Sequence, residues 1–290
     1  MKYKMLVFTL SLSCLLSCQT NKTVKKDLVT GLISQGNGIS CQEVNLSDGN
    51  SSLQRNTFVY GEKFHLNFNN ISGFKKVNNL VFPGMELLVT GQKGDTIMHN
   101  PDLYGDGSSG IDISPLLLQA KITAANPIHS NGTYTLNVNI WDKKSKGTFK
   151  SEIDFTVTPN KHLEIENNSV LYDEIYLFSK ERKSVITDNQ AKFNENIYMI
   201  FEGLEGFKIE DGKANLGLSI MGTDSKGEII LNEVDLVGDS TIEVNELKNR
   251  LSPNFIFSGS NIENPVTCEI TIWDKKSESR IKATVELSIK

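Results

Sequence analysis

Cysteine is scarce in this chain: it has four in 290 residues, and two of them, Cys14 and Cys18, lie within the first eighteen positions. Only Cys41 and Cys268 occur beyond, so the chain is not held together by disulfides as small secreted domains are, and the two are read as free thiols. The four histidines (His65, His99, His129, His162) are scattered and form no HExxH, and GxSxG is absent as well. Those gaps exclude the familiar zinc-peptidase and nucleophile-elbow signatures. Positive charge is not in excess, with 30 Lys and Arg against 35 Asp and Glu. A mildly acidic balance gives no reason to expect nucleic acid as a partner. The apolar run Met5–Leu16 is shorter than the roughly 20 residues needed to cross a bilayer.

Lys2 and Lys4 stand before that run and Leu15-Leu16-Ser17-Cys18 closes it. A basic start, a short apolar segment and small residues fit a cleaved export signal. The closing four residues resemble the lipobox of bacterial lipoproteins, which implies lipid on Cys18 and a membrane as the partner held through it. Gln19 resembles the residue that follows the cysteine in lipoproteins sent to the outer membrane. Whether such a protein faces the periplasm or the exterior stays open. Residues 19–38 are polar and aperiodic and are read as a flexible tether.

The remaining chain is written twice. Asn139-Ile140-Trp141-Asp142-Lys143-Lys144-Ser145 returns as Thr271-Ile272-Trp273-Asp274-Lys275-Lys276-Ser277, and these copies hold both tryptophans of the protein. Ile71-Ser72-Gly73-Phe74 returns as Leu204-Glu205-Gly206-Phe207, and Asp102-Leu103-Tyr104-Gly105-Asp106 as Asp235-Leu236-Val237-Gly238-Asp239. Met85–Gly91 is set against Leu216–Gly222. Polar and apolar residues alternate over four to eight positions through most segments, with Gly, Asn, Asp and Ser between them, the pattern of half-buried strands. Only Ser114–Lys121 and Val244–Leu251 are compatible with a helical turn. The expected fold is all-β: two tandem antiparallel β-sandwiches from an internal duplication. The division is a signal peptide over 1–18, a tether over 19–38, sandwiches over 39–158 and 163–290, and a linker over 159–162.

Gly132-Thr133-Tyr134-Thr135-Leu136 resembles the tyrosine corner of immunoglobulin-like domains. The second copy departs from it, with Val266 and Cys268 at the positions of Tyr134 and Leu136, and Cys268 is read as a small core residue. The whole resembles tandem immunoglobulin-like or fibronectin-like modules of Bacteroidetes-type outer-membrane lipoproteins. Such a topology implies that the tether enters beside the Gly73-Phe74-Lys75-Lys76 loop and the Asp142–Lys146 turn. Lys75, Lys76, Lys143, Lys144 and Lys146 then form a basic tip, either facing the bilayer or simply solvated. The second domain is expected to seat Gly206, Phe207 and Trp273 against the base of the first, making a rod.

Strand parity turns Trp141 and Trp273 outward. With Phe74 and Phe207 they are the candidate contacts for a ligand or partner, against a packing role for the indoles. Gly105-Asp106-Gly107-Ser108-Ser109-Gly110 matches GxGxxG by letter but lacks the strand-to-helix setting that binds phosphate. Asp102, Asp106 and Asp112 do not follow the calcium-loop spacing. No catalytic residue, metal ligand or cofactor is assigned. The expectation is a non-enzymatic, lipid-anchored envelope protein serving as a spacer or protein-interaction module. A glycan-binding lipoprotein accompanying outer-membrane sugar uptake is the alternative.

Overall fold

The computed structural model describes residues 22–106, 109–112, 114–259 and 262–290. The leader, Cys18 and the first residues of the expected tether lie outside the described residues, as do Gly107 and Ser108. Period-two alternation becomes strands almost throughout, and the buried apolar side chains separate into two cores. One draws on Leu32 to Val157 and the other on Val170 to Ile289.

In the first domain one sheet runs β4 (Ser52–Leu53), β3 (Ser40–Ser47), β6 (Lys63–Ser72), β9 (Leu116–Thr123). The facing sheet runs β1 (Lys22–Lys26), β2 (Ile33–Asn37), β11 (Thr148–Thr158), β10 (Gly132–Asp142), β7 (Pro83–Gly91), β8 (Thr96–Asn100), and β5 (Thr57–Val59) joins β11 in parallel. The second domain repeats the arrangement as β12 (Leu163–Asn168), β25 (Arg280–Ile289), β24 (Val266–Asp274), β19 (Leu216–Thr223), β20 (Ile229–Glu233), with β15 (Gln190–Ala191) parallel to β25. Opposite lie β14 (Ser184–Val185), β13 (Glu174–Ser179), β16 (Ile197–Glu202) and β22 (Arg250–Leu251), with β23 (Asn254–Phe255) also on β16. A small sheet of β17 (Ile209–Glu210), β18 (Lys213–Ala214) and β21 (Ile242–Glu243) leads into the single helix found among the described residues, α1 (Val244–Asn249). Two sandwiches with matching strand order follow from these pairings.

The cores are built from strand faces, as the alternation requires. Along β10, Tyr134, Leu136, Val138 and Ile140 are buried while Asn137 and Asn139 lie on the other side. Phe58 stacks on Phe64 with ring centroids 3.9 Å apart, and Phe155 meets both edge-on, an arrangement that favours offset and T-shaped pairs. Tyr134 makes the expected corner: its hydroxyl donates to His129 O at 2.9 Å and accepts from His129 N at 2.8 Å. In the second domain Asn264 ties the corresponding loop instead, donating to Ile289 O and accepting from Ile289 N. Cys41 and Cys268 are both free and buried.

Three expectations are corrected. The tether is not free over its length: β1 pairs with β2, and β2 continues the sheet on β11. Because β12 makes the equivalent pairing with β25, the first domain begins ahead of residue 39, with a strand its sequence hides in Ser, Gln, Gly and Asn. Ser114–Lys121 holds no helical turn; Leu116, Leu118, Ala120 and Ile122 alternate inward along β9, and the run of three leucines masked that period. Val244–Asn249, by contrast, is helical. Finally, Trp141 pairs with Gly84 and Trp273 with Gly217, so Met85 corresponds to Leu218 and not to Leu216. The slip is two residues, which leaves every side chain on its proper face.

Each domain closes the turn before its second core strand with a glutamate held by an arginine. Glu62 accepts from Val59 N at 2.9 Å and pairs with Arg55. Glu195, 3 % exposed, accepts from Lys192 N, Ser179 Oγ and the Arg182 guanidinium. Arg182 above all, then Ser179 and the Lys192 amide, pull its carboxyl down to about 2 against the opposing effect of burial. The folded pKa lies below the unfolded one, so the stabilisation is complete above about pH 5 and is lost as pH falls towards 2. We expect Glu195→Gln to cost the second domain about 3 kcal/mol at pH 7 and to flatten its stability between pH 5 and 3, measured by denaturant unfolding across pH. An unchanged pH slope would contradict this assignment.

Candidate functional site

The repeated tryptophan phrase ends β10 and β24 and forms the turns into β11 and β25. Asp142 is 2 % exposed and Asp274 4 %. Asp142 Oδ2 accepts from Lys75 N at 2.7 Å and Ser145 Oγ at 2.6 Å, and Oδ1 accepts from Lys144 N at 2.9 Å. Asp274 repeats this with Lys208 N at 2.6 Å, Ser277 Oγ at 2.7 Å and Lys276 N at 2.9 Å. One carboxylate thus shapes its own turn and fastens a loop more than sixty residues away. A buried anion accepting several N–H and O–H bonds is stabilised without any counter-ion beside it.

The first lysine of each turn reaches a second loop. Lys143 Nζ lies 2.6 Å from Asp102 Oδ2 and donates to Gly105 O; Lys275 does the same with Asp235 and Gly238. Asp102 Oδ1 in turn accepts from Met85 N and Tyr104 N, and Asp235 Oδ1 from Leu218 N, Val237 N and Gly238 N. Lys275 is the main cause holding the Asp235 carboxyl down, at about 2. Asp102, one of the residues tested against a calcium loop, therefore serves as a backbone cap and lysine partner. Lys143 does not belong to the free basic tip: it is internally paired and its side chain only 17 % exposed.

The indoles lie on the outer sheet face, as parity required. Each covers a neighbouring strand: a Cβ on Gly84 would fall within the Trp141 ring, and one on Gly217 within that of Trp273. Glycine opposite tryptophan lets the large ring lie flat on the backbone of the neighbouring strand and cover it. Both rings remain half-buried. Phe207 is 7 % exposed and belongs to the second core, so it does not serve as a surface contact. Phe74 is half-buried and packs on the first core, lining an open pocket of about 340 Å³ with Ile71, Lys76, Val81, Pro115 and Leu116. Gly73 and Gly206, at φ +97° and +98°, press against Gly38 O and Ser169 O, so both loops exclude a side chain there.

The domain joint was not legible in advance. Tyr60 Oη donates to Glu202 Oε2 at 2.7 Å and Tyr176 Oη to Oε1 at 2.9 Å, with the two rings 5.3 Å apart. Ser130 N donates to Glu174 Oε1 at 2.7 Å, and Asn160 Nδ2 to Ile186 O at 3.0 Å. Burial pushes the Glu174 carboxyl up, opposed chiefly by Ser130. These contacts place β13, β14 and the end of β16 against the base of the first domain, not the expected set of Gly206, Phe207 and Trp273. The reason is chemical: Phe207 completes a core, whereas Glu174, Tyr176 and Glu202 need polar partners once covered. Beside the joint is a cleft of about 520 Å³ lined by residues of both domains, among them Asn131, Lys161, Tyr172 and Glu174.

No known family and no curated protein matches the chain. Among solved structures it is similar to dimeric latent PorU from Porphyromonas gingivalis, at 7 % identity and TM-score 0.27, over 87 % of this chain and 20 % of that one. It thus spans about a fifth of the PorU chain. It is also similar to the fibronectin(III)-like modules of Clostridium thermocellum CbhA, at 11 % identity and TM-score 0.20, covering 87 % of this chain and 94 % of that one. The N-terminal domains of the Hoc capsid protein of bacteriophage RB49 match at 10 % identity and TM-score 0.20, over 90 % and 78 % of the respective chains.

Because both copies use their aspartate alike, Asp142→Asn and Asp274→Asn are expected to destabilise their own domains by a similar amount, about 2–3 kcal/mol each. Denaturant unfolding of the two variants checks this. Near-neutral effects in either domain would show that the carboxylate is not what fastens the loops.

Proposed function

We infer that the protein is a non-enzymatic, lipid-anchored component of a bacterial cell envelope, presenting two sandwich domains as a spacer or protein-interaction module. The observation that carries this reading is the joint. Tyr60, Tyr176 and Glu202 close a hydrogen-bonded set across the domain boundary, joined by the contacts of Glu174 and Asn160. A pair of domains fixed in this way holds a set separation, which is what a spacer requires, whereas a bare linker leaves domains to move. The repeated phrase supports the same reading, since its aspartates and first lysines are engaged in building the fold. The outer-membrane address and the lipid rest on the lipobox-like Leu15-Leu16-Ser17-Cys18 and on Gln19.

Two measurements test the parts separately. Cys18→Ser is expected to move the protein from the membrane pellet to the soluble envelope fraction and to abolish incorporation of labelled fatty acid; unchanged partitioning would reject the anchor. Tyr60→Phe combined with Glu202→Gln is expected to weaken the joint by about 2–3 kcal/mol, broadening the inter-domain distance measured between spin labels on the two domains. A distance distribution as narrow as that of the parent would remove the joint's claim to set the spacing.

A further inference from the structure

The duplication supplies its own control. The two domains share one scaffold, so a difference in charge at equivalent positions is not dictated by the fold. At the tip of the first domain, residues 72–79 and 144–147 carry Lys75, Lys76, Lys144 and Lys146 and no acidic residue. The equivalent stretches of the second, residues 205–212 and 276–279, carry Lys208 and Lys276 with Glu205, Glu210, Asp211 and Glu278.

The structure makes this contrast sharper. In the second domain Glu210 pairs with both Lys208 and Lys276, and Glu205 with Lys248. In the first, none of Lys75, Lys76, Lys144 and Lys146 has an acidic partner among the ion pairs of the described residues, and all four are exposed. Lys144 rests its ammonium 4.6 Å above the Phe82 ring, a contact that holds the side chain without neutralising its charge. Four like charges held on one rim repel one another, and an anionic surface relieves that repulsion.

The path of the chain says which surface. Lys22 pairs with Asn37, and Asn37 with Thr148, so the first described residue lies at the tip end beside the turn from β10 to β11. Only three residues lie between Cys18 and Lys22, and the four steps from one to the other reach at most about 14 Å. We propose that the Lys75–Lys76 loop and the Lys144–Lys146 turn form a docking surface for anionic phospholipid headgroups. It seats the first domain tip-down on the membrane that holds Cys18, and the acid-neutralised tip of the second domain has no such role. This orientation rests on the lipid-anchored reading above, but the affinity of the tip for anionic lipid does not. Polybasic patches next to an anchor add to it by attraction to anionic lipid, within a Debye length of the surface.

The test uses the full chain with Cys18 acylated, and its Cys18→Ser variant. Each is mixed with vesicles of phosphatidylcholine alone or with about one third phosphatidylglycerol, floated, and treated with an amine-reactive reagent read by mass spectrometry. Flotation of the acylated protein on both lipids reports the anchor. The tip is read independently, as labelling of Lys75, Lys76, Lys144 and Lys146 relative to Lys208 and Lys276. The ratio is expected to fall about fivefold or more on anionic vesicles, to stay constant on neutral ones, and to recover in high salt. Val77→Glu with Lys146→Glu gives the first tip the counterparts of Glu210 and Glu278, and is expected to abolish the protection of Lys75, Lys76 and Lys144. Equal ratios on both lipids, in acylated and unacylated protein alike, would overturn the proposal whether or not the anchor holds.

Discussion

A buried aspartate in a hairpin turn organises each half of this molecule. Asp142 and Asp274 gather an amide from their own turn, a serine hydroxyl beside it and an amide from a loop that comes from far along the chain. An unpaired carboxylate in such a place costs several kcal/mol, so the donors must all arrive together for the domain to close. The lysine next to it extends the same knot to a third loop through Asp102 or Asp235. The tryptophan before it seals the sheet over a glycine that admits no side chain. In both copies of the phrase the tryptophan, the aspartate, the first lysine and the serine each have a neighbour to satisfy.

The copies also show where a shared scaffold leaves freedom. Their tyrosine corners differ: a phenol ties the first, and an asparagine holding both backbone groups of Ile289 ties the second. Their cores differ too: the first packs Phe58, Phe64 and Phe155 against one another, the second pairs Phe255 with Phe257 among aliphatic side chains. Each substitution satisfies the same hydrogen-bonding or volume requirement by other atoms. Tip charge has no such requirement, since exposed lysines contribute little to stability. It is therefore the feature that the fold leaves free to differ between the copies.

Much of the fold was legible because a strand announces itself by period two, and the order of strands by repetition. The outward direction of Trp141 and Trp273 and the burial of Cys268 follow from parity alone. Reading failed where the pattern was thin. Ser34, Gln35, Gly36 and Asn37 form a strand because β11 offers an edge to them, not because they are apolar. Leu116-Leu117-Leu118 concealed an alternating strand by placing a leucine outside as well as in, with Leu117 55 % exposed. Phe207 and Phe74, equivalent by alignment, differ in burial because each is judged by the side chains that meet it.

The sequence by itself determined an all-β chain, its division into two alike halves, and the tyrosine corner, since these depend on periodicity and spacing within a few residues. Only the tertiary structure decided that Lys143 and Lys275 are tied inward, that Phe207 is core, and that the joint is made by Tyr60, Tyr176, Glu174 and Glu202. Those outcomes depend on which groups, distant along the chain, come within hydrogen-bond reach once both cores have closed. A charge or a ring has no assigned partner until then, and its role is set by the neighbour that arrives.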